Sequence, residues 1–282
     1  MPRSEAMKWE IVHRTQYRYA SPARESFNEL RLQPMTSDQQ SVQNFMLKVV
    51  PATRVHHYRD FYLNVVHHFE IAEPHEALVI ESALQALTIP QLALPELIPP
   101  FPLQHLGDAA RSFRCYEFLN ASRYVDVEPQ TWRLAVDAVN GATDAWQAAL
   151  AIMRFVHGYL SYNPNSTSVH THMQEVLARR CGVCQDFAHV ALGLYRAAKI
   201  PALYVSGYLA TEKASATHAW VEVFIPGIGW RGLDPTHNCE VNETYLKIAV
   251  GRDYHDVAPV SGRYKGSLER QMEVELKIKT IA

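Results

Sequence analysis

Five prolines stand within the fourteen residues 89–102. Proline fixes φ and carries no amide N–H, so this stretch can form neither a regular helix nor a central strand. It divides the chain into two parts of different character. Ahead of it the pattern has period two. Trp9, Ile11, His13, Thr15, Tyr17 and Tyr19 fall on one side of residues 8–20, and Lys8, Glu10, Arg14, Gln16 and Arg18 on the other, with Val12 the exception. That is a half-buried strand. Leu30 and Leu32 begin a second run. Phe45, Leu47 and Val49 continue the alternation until Pro51. Val65, His67, Phe69 and Ile71 alternate with Asn64, Val66, His68 and Glu70, and residues 77–84 are again β-prone. Short strands with polar breaks and no helix predict a β-sandwich. The apolar residues between the prolines predict a linker that packs along a surface. Residues 103–127 carry no clear pattern.

Beyond the linker, helical signals begin. Pro129 after Glu128 marks a helix start. Thr143 and Asp144 can cap a second helix, which would bury Trp146, Ala149, Leu150, Met153, Val156 and Leu160. Thr171 can cap a short third one through Val176 and Leu177. A fourth is amphipathic: Phe187, Ala188, Ala191, Leu192, Tyr195 and Ala198 form one face, and Pro201 closes it. Alternation then returns over 202–210, 218–225, 230–234 and 244–250, with Gly227, Ile228 and Gly229 as a hairpin turn. In the last run Met272, Val274, Leu276 and Ile278 alternate with Glu273, Glu275, Lys277 and Lys279, a strand with one charged face. The predicted fold class is α+β: a β-rich unit over 1–88, a linker and uncertain segment over 89–127, and a helix-then-strand unit over 128–282.

The fourth helix opens on Cys184, with Gly182 supplying a permissive backbone just before it. Unpaired N–H groups and the helix dipole at such a start favour a negative charge. A thiol placed there ionises below its usual pKa of about 8.5, and the thiolate is the nucleophile. A nucleophile of this kind needs a base, and the base an orienting group. His218 starts the strand His218-Ala219-Trp220. The Gly turn and the returning strand to Asp234 and Pro235 bring His218 and Asp234 together. Cys184, His218 and Asp234 are therefore the candidate catalytic residues.

Composition sets bounds. With a net charge of −2 there is no electrostatic case for nucleic acid. No apolar run reaches the roughly 18 residues of a membrane span, and residues 1–10 lack the apolar core of a signal peptide, so a soluble cytoplasmic protein is expected. Cysteines at 115, 181, 184 and 239 do not make a disulfide framework in a chain of 282 residues.

Three segments carry a family resemblance: Gly182-Val183-Cys184-Gln185-Asp186-Phe187-Ala188, His218-Ala219-Trp220-Val221-Glu222 and Leu233-Asp234-Pro235-Thr236. They resemble the transglutaminase-like superfamily, which has a papain-like core. Residues 250–262 are similar to the tail of its bacterial branch. Asn28-Glu29-Leu30-Arg31-Leu32-Gln33-Pro34 is similar to the β-rich N-terminal region attached to that branch. The resemblance implies a β-sandwich-like domain followed by a papain-like catalytic core with a Cys-His-Asp triad at Cys184, His218 and Asp234. It implies acyl transfer from peptide or protein amides through a thioester, with no cofactor and no metal. The chain departs from the pattern at Asp60–Asn64. Leu63 stands where the family often has Gly before Asn, which counts against a tight turn with φ > 0 there. The Cys184 N–H is an expected oxyanion donor, and Tyr162 a weaker candidate for the second.

Other readings stay open. Cys181-x-x-Cys184 has the form of a redox pair, though helical sequence precedes it. His170, His172, Cys181 and Cys184 could supply four zinc ligands. His56-His57 and His67-His68 lie on strands, where neighbours point to opposite faces. A binding module that keeps the fold without the activity is a third. Hydrolysis, deamidation and transamidation share one thioester, and water is the default acceptor.

Overall fold

The computed structural model describes residues 6–90, 100–112, 115–210, 217–266 and 269–281. Most of the proline-rich stretch, and with it the expected packing of that linker, lies outside these.

The N-terminal unit is built on one strand. The two runs expected over 8–20 and from Leu30 are a single continuous β1 (Met7–Gln33). Its pairing shifts register between Arg18 and Ala23 and again between Arg24 and Phe27, where Glu25 has φ of 49°. The other strands of this region are β2 (Gln40–Val50), β3 (His56–Arg59), β4 (Val65–Ile71) and β5 (His75–Thr88). The first half of β1 pairs with β5, and the second half with β4; β2 and β3 lie outside these. Tyr17, Val49, Leu78 and Ile80 meet Leu30, Leu32, Phe69 and Ile71 in a core between the two half-sheets. The expected sandwich is therefore present, with β1 running through both layers.

Residues 100–127 hold α1 (Leu106–Ser112) between two 3-10 turns, at Leu103–His105 and Tyr116–Leu119. Then come α2 (Pro129–Ala138), α3 (Ala145–Tyr159), β6 (Ser161–Tyr162), α4 (Met173–Arg179), β7 (Cys181–Gly182) and α5 (Cys184–Ala197). Pro129 is at the start of α2, and the Asp144 carboxylate caps α3 by accepting from the Trp146 and Gln147 amides. The cap of α4 is His172 rather than Thr171, whose hydroxyl accepts instead from the Ser168 amide. The second sheet has the order β11-β10-β9-β8-β12, formed by β8 (Ala202–Leu209), β9 (His218–Ile225), β10 (Gly229–Asp234), β11 (Cys239–Glu240) and β12 (Tyr245–Gly251).

The amphipathic reading of α5 is corrected by its surroundings. Every residue from Gln185 to Ala197 is buried, the polar ones included. Its polar side chains are paired in part: Arg196 donates to the Asn120 and Ala202 carbonyls, Gln185 to Val169, and His189 accepts from the Tyr254 amide, while Asp186 Oδ1, His189 Nδ1 and Arg196 Nε have no partner among the described residues. A helix with polar groups paired in this way can be wrapped on all sides.

After α6 (Tyr254–Val257) the chain returns to the first unit. β13 (Val260–Lys265) and β14 (Arg270–Ile281) both pair with β1. The two outlying segments that carry the bacterial-branch resemblance thus meet, with Asn28 opposite Gly262. The histidine doublets meet too: His56 opposes His68 and His57 opposes His67, so each face of the β3–β4 ribbon carries a cross-strand pair. No helix among the described residues is long and apolar enough to cross a membrane.

Candidate active site

Cys184 is the first residue of α5 and is half-buried. The approach is held tightly. Asp186, in the first turn, turns back so that its Oδ2 accepts from the Val183 amide at 2.8 Å and from the Thr167 hydroxyl at 2.6 Å. A Cβ on residue 182 would lie 2.5 Å from the Asp186 Cβ. Gly182 is therefore needed for close approach, and its φ is not among the positive ones. Tyr162 sits on β6, whose register partner on β7 is Gly182. Burial, and then the electrostatic influence of Cys184, push its phenol up.

His218 opens β9, opposite Gly207 of β8. The β9–β10 hairpin closes through Gly227 and Gly229 at φ of 80° and 87°. This leaves Asp234 at the end of β10, with its Oδ2 2.7 Å from His218 Nε2. Cys184 acts on the same ring, helping to raise its pKa, and with Nε2 taken by the carboxylate, Nδ1 is the nitrogen free to face a nucleophile. Trp220 stacks alongside, with ring centroids 6.2 Å apart.

Asp234 is fully buried and its oxygens are saturated. Oδ1 accepts from the Thr236 and His237 amides. Oδ2 also accepts from the Tyr245 hydroxyl at 2.8 Å and lies 2.7 Å from His237 Nδ1. Burial pushes this carboxyl up, but the hydrogen bonds and charges of His218 and His237 win and hold it well below the usual carboxylate range. For His218 burial pulls the other way, and is overridden by the hydrogen bonds and charges of Asp234 and Cys184, which raise it to about 9. The imidazole accordingly carries its second proton at neutral pH.

His237 and Tyr245 went unnoticed in the sequence. His237 follows Asp234 by three residues, inside a turn where a histidine has no pattern to mark it. Tyr245 reaches Asp234 from another strand. Among the described residues, His218, Asp234 and His237 form the one group of three ligand-type side chains near enough to share an ion. Each of their contacts is already a hydrogen bond. His170, His172, Cys181 and Cys184 do not come together in such a group.

A model described as the bacterial transglutaminase-like N-terminal region matches residues 9–86, and that of the transglutaminase-like superfamily matches residues 133–235. An uncharacterized protein of Mycobacterium leprae is 33% identical over 280 residues, spanning 96% of this chain and 98% of that protein. The chain belongs to the transglutaminase-like superfamily. The superfamily match contains Cys184, His218 and Asp234. A protein-glutamine gamma-glutamyltransferase of Pseudomonas aeruginosa is 33% identical over 153 residues, covering 48% of this chain and 23% of that protein. A solved candidate cysteine protease from Cytophaga hutchinsonii shares the fold at a TM-score of 0.81, with 23% identity, over 99% of this chain and 92% of that one.

Proposed function

We propose that this transglutaminase-like protein is a cysteine-dependent acyl-transfer enzyme that cleaves amide bonds of peptides or proteins, with Cys184 as nucleophile, His218 as general acid and base, and Asp234 as its orienting group. The observation that carries this is the His218 ring fixed at 2.7 Å by the buried Asp234 carboxylate, with Cys184 at the start of α5 acting on the same ring. The sulfur attacks the amide carbonyl carbon, and the resulting oxyanion is met by the Cys184 N–H at the helix start, with the Tyr162 hydroxyl as second donor. His218 gives its proton to the leaving amine as the C–N bond breaks, which leaves a thioester. Water then attacks the thioester, with His218 taking the proton, and Cys184 is released together with a carboxylic acid.

Intact-mass analysis during turnover of a panel of peptide and γ-glutamyl amides is the direct experiment. An acyl adduct on Cys184 is expected. Cys184→Ala and His218→Ala should each lose on the order of 10³-fold or more in kcat/KM, and Cys184→Ala turning over near the wild-type rate would remove the proposal. Cys181→Ser should leave activity intact, where a redox function of the Cys181–Cys184 pair requires its loss.

The similarity to a gamma-glutamyltransferase over about half of the chain favours one alternative, transfer of the acyl group to an amine. The two readings share the adduct and differ in its fate. A primary amine added during turnover would appear in the product under transfer and not under hydrolysis.

A further inference from the structure

The surface near the start of β9 is not made by the β8–β12 sheet alone. A cavity of about 180 Å³ opens between Thr217 and Tyr254 on one side and Tyr17 of β1 with Met272 and Val274 of β14 on the other. Thr217 directly precedes His218. Tyr254 packs on Tyr204, ring centroids 6.5 Å apart, and Tyr204 in turn feels the charge of Cys184. The β1 wall is fixed in place: His13 Nδ1 lies 2.7 Å from the Tyr208 hydroxyl, and Tyr208 adjoins Gly207, the register partner of His218. This contact sets the N-terminal unit against β8, the strand that pairs with the one carrying the candidate base.

The cavity's walls are mainly apolar, with Pro259, Val260, Met272 and Val274 beside the polar His13 and Thr15. Met272 and Val274 belong to the apolar stripe of β14, opposite Tyr17 and Thr15. Yet they are 60% and 44% exposed, while Leu276 on the same stripe is buried. Their exposure is confined to the stretch that lines this cavity. No Lys, Arg, Asp or Glu side chain lines it. A cavity of about 150 Å³ with apolar walls holds a benzene ring, so the space matches one side chain of leucine or phenylalanine size. Burying such a side chain is worth roughly 1.5–3 kcal/mol.

We propose that this cavity is a substrate subsite for one large apolar side chain flanking the scissile amide, and that β1 and β14 of the N-terminal unit determine that specificity. The inference rests on the acyl-transfer reading of Cys184. Arg270, over the outer face of Tyr17 at 5.2 Å to the ring centre, is the nearby charge that would instead favour an acidic residue.

Two measurements test it. The first compares kcat/KM for peptide amides that carry Ala, Leu, Phe or Asp at each position flanking the scissile bond. Leu and Phe should exceed Ala by ~10- to 100-fold at one position. The preference should collapse in Val274→Asp, and in Met272→Glu should that variant fold better, while iodoacetamide alkylates Cys184 at the wild-type rate in both. The second needs no amide turnover: a benzyl-bearing chloromethyl ketone should label Cys184 faster than its methyl counterpart in wild type and no faster in the variants. Equal labelling by the two reagents, a preference for Asp, or an apolar preference that survives both substitutions overturns the subsite. Benzyl-selective labelling without cleavage of any amide upholds the subsite and sinks the acyl-transfer reading alone.

Discussion

Leu63 has φ of 66°, in the left-handed region where a side chain with a Cβ is disfavoured by about 1–2 kcal/mol. The tight turn that leucine argued against is therefore formed. Asp60 holds it, accepting from the Tyr62 amide at 2.9 Å and from the Asn64 amide at 3.0 Å. Leu63 itself is 62% exposed, so little packing offsets the strain. Leu63→Gly should raise unfolding stability by roughly 0.5–1 kcal/mol after the added freedom of glycine in the unfolded chain is subtracted, as urea denaturation would show. His218 gives a second prediction. Its pKa rises from 6.5 to about 9 on folding, so the folded state binds its proton more tightly. The stabilisation this represents is complete below pH 6.5 and is lost as pH climbs through about 9, on the order of 3 kcal/mol in total. Unfolding measured at pH 6 and at pH 9.5 should differ in that direction. The amide-cleavage rate should fall over the same alkaline limb, because a neutral imidazole has no proton for the leaving amine. Asp234→Asn should move that limb to lower pH. At this scale the nearness of His218 and Asp234 could be read from hairpin spacing. The convergence of His237 and Tyr245 on the same carboxylate could not, since it depends on side-chain direction within a turn and on a strand remote in sequence.

Among the elements, β12 shows how the two units are joined. One of its edges pairs with β8. The other is met by side-chain amides of the N-terminal unit. Gln40 donates to the Lys247 carbonyl at 2.7 Å and accepts from the Lys247 amide at 3.0 Å. Asn64 does the same to Val250, at 2.7 and 2.8 Å. Each amide side chain imitates a neighbouring strand for one residue, which satisfies buried backbone groups that would otherwise lack a partner. The turn at Leu63 is what delivers Asn64 there. Asn64→Ala removes two hydrogen bonds and leaves the Val250 amide and carbonyl unpaired, so a loss of about 2–4 kcal/mol in urea denaturation is expected. Asn64→Asp should restore only the bond from the Val250 amide. The existence of most strands and helices was legible because their periodicity is local. The burial of α5 on every side was not. Its apolar face announces one packing surface, whereas Arg196 and Gln185 are buried through partners at Asn120 and Val169, 76 and 16 residues away along the chain.

For the whole molecule, β1 is the common member of both half-sheets and the neighbour of strands from the far end of the chain. The alternation over 272–279 announces a strand with one charged face. Nothing in it names β1 as partner, because register is set by tertiary packing rather than by pattern. A fragment of residues 1–90 would lack β13 and β14 while keeping the apolar core between the half-sheets. Such a fragment should show no cooperative thermal unfolding, whereas the chain through Ile281 should unfold in a single transition. The pairing of Lys8 with Ile281 through Tyr19 with Arg270 has a further consequence. A polypeptide that stops before residue 270 leaves that flank of β1 with open amides and carbonyls, a ready template for another copy. Proteolytic clipping or incomplete synthesis at that end should therefore turn a discrete particle into one that recruits its own kind.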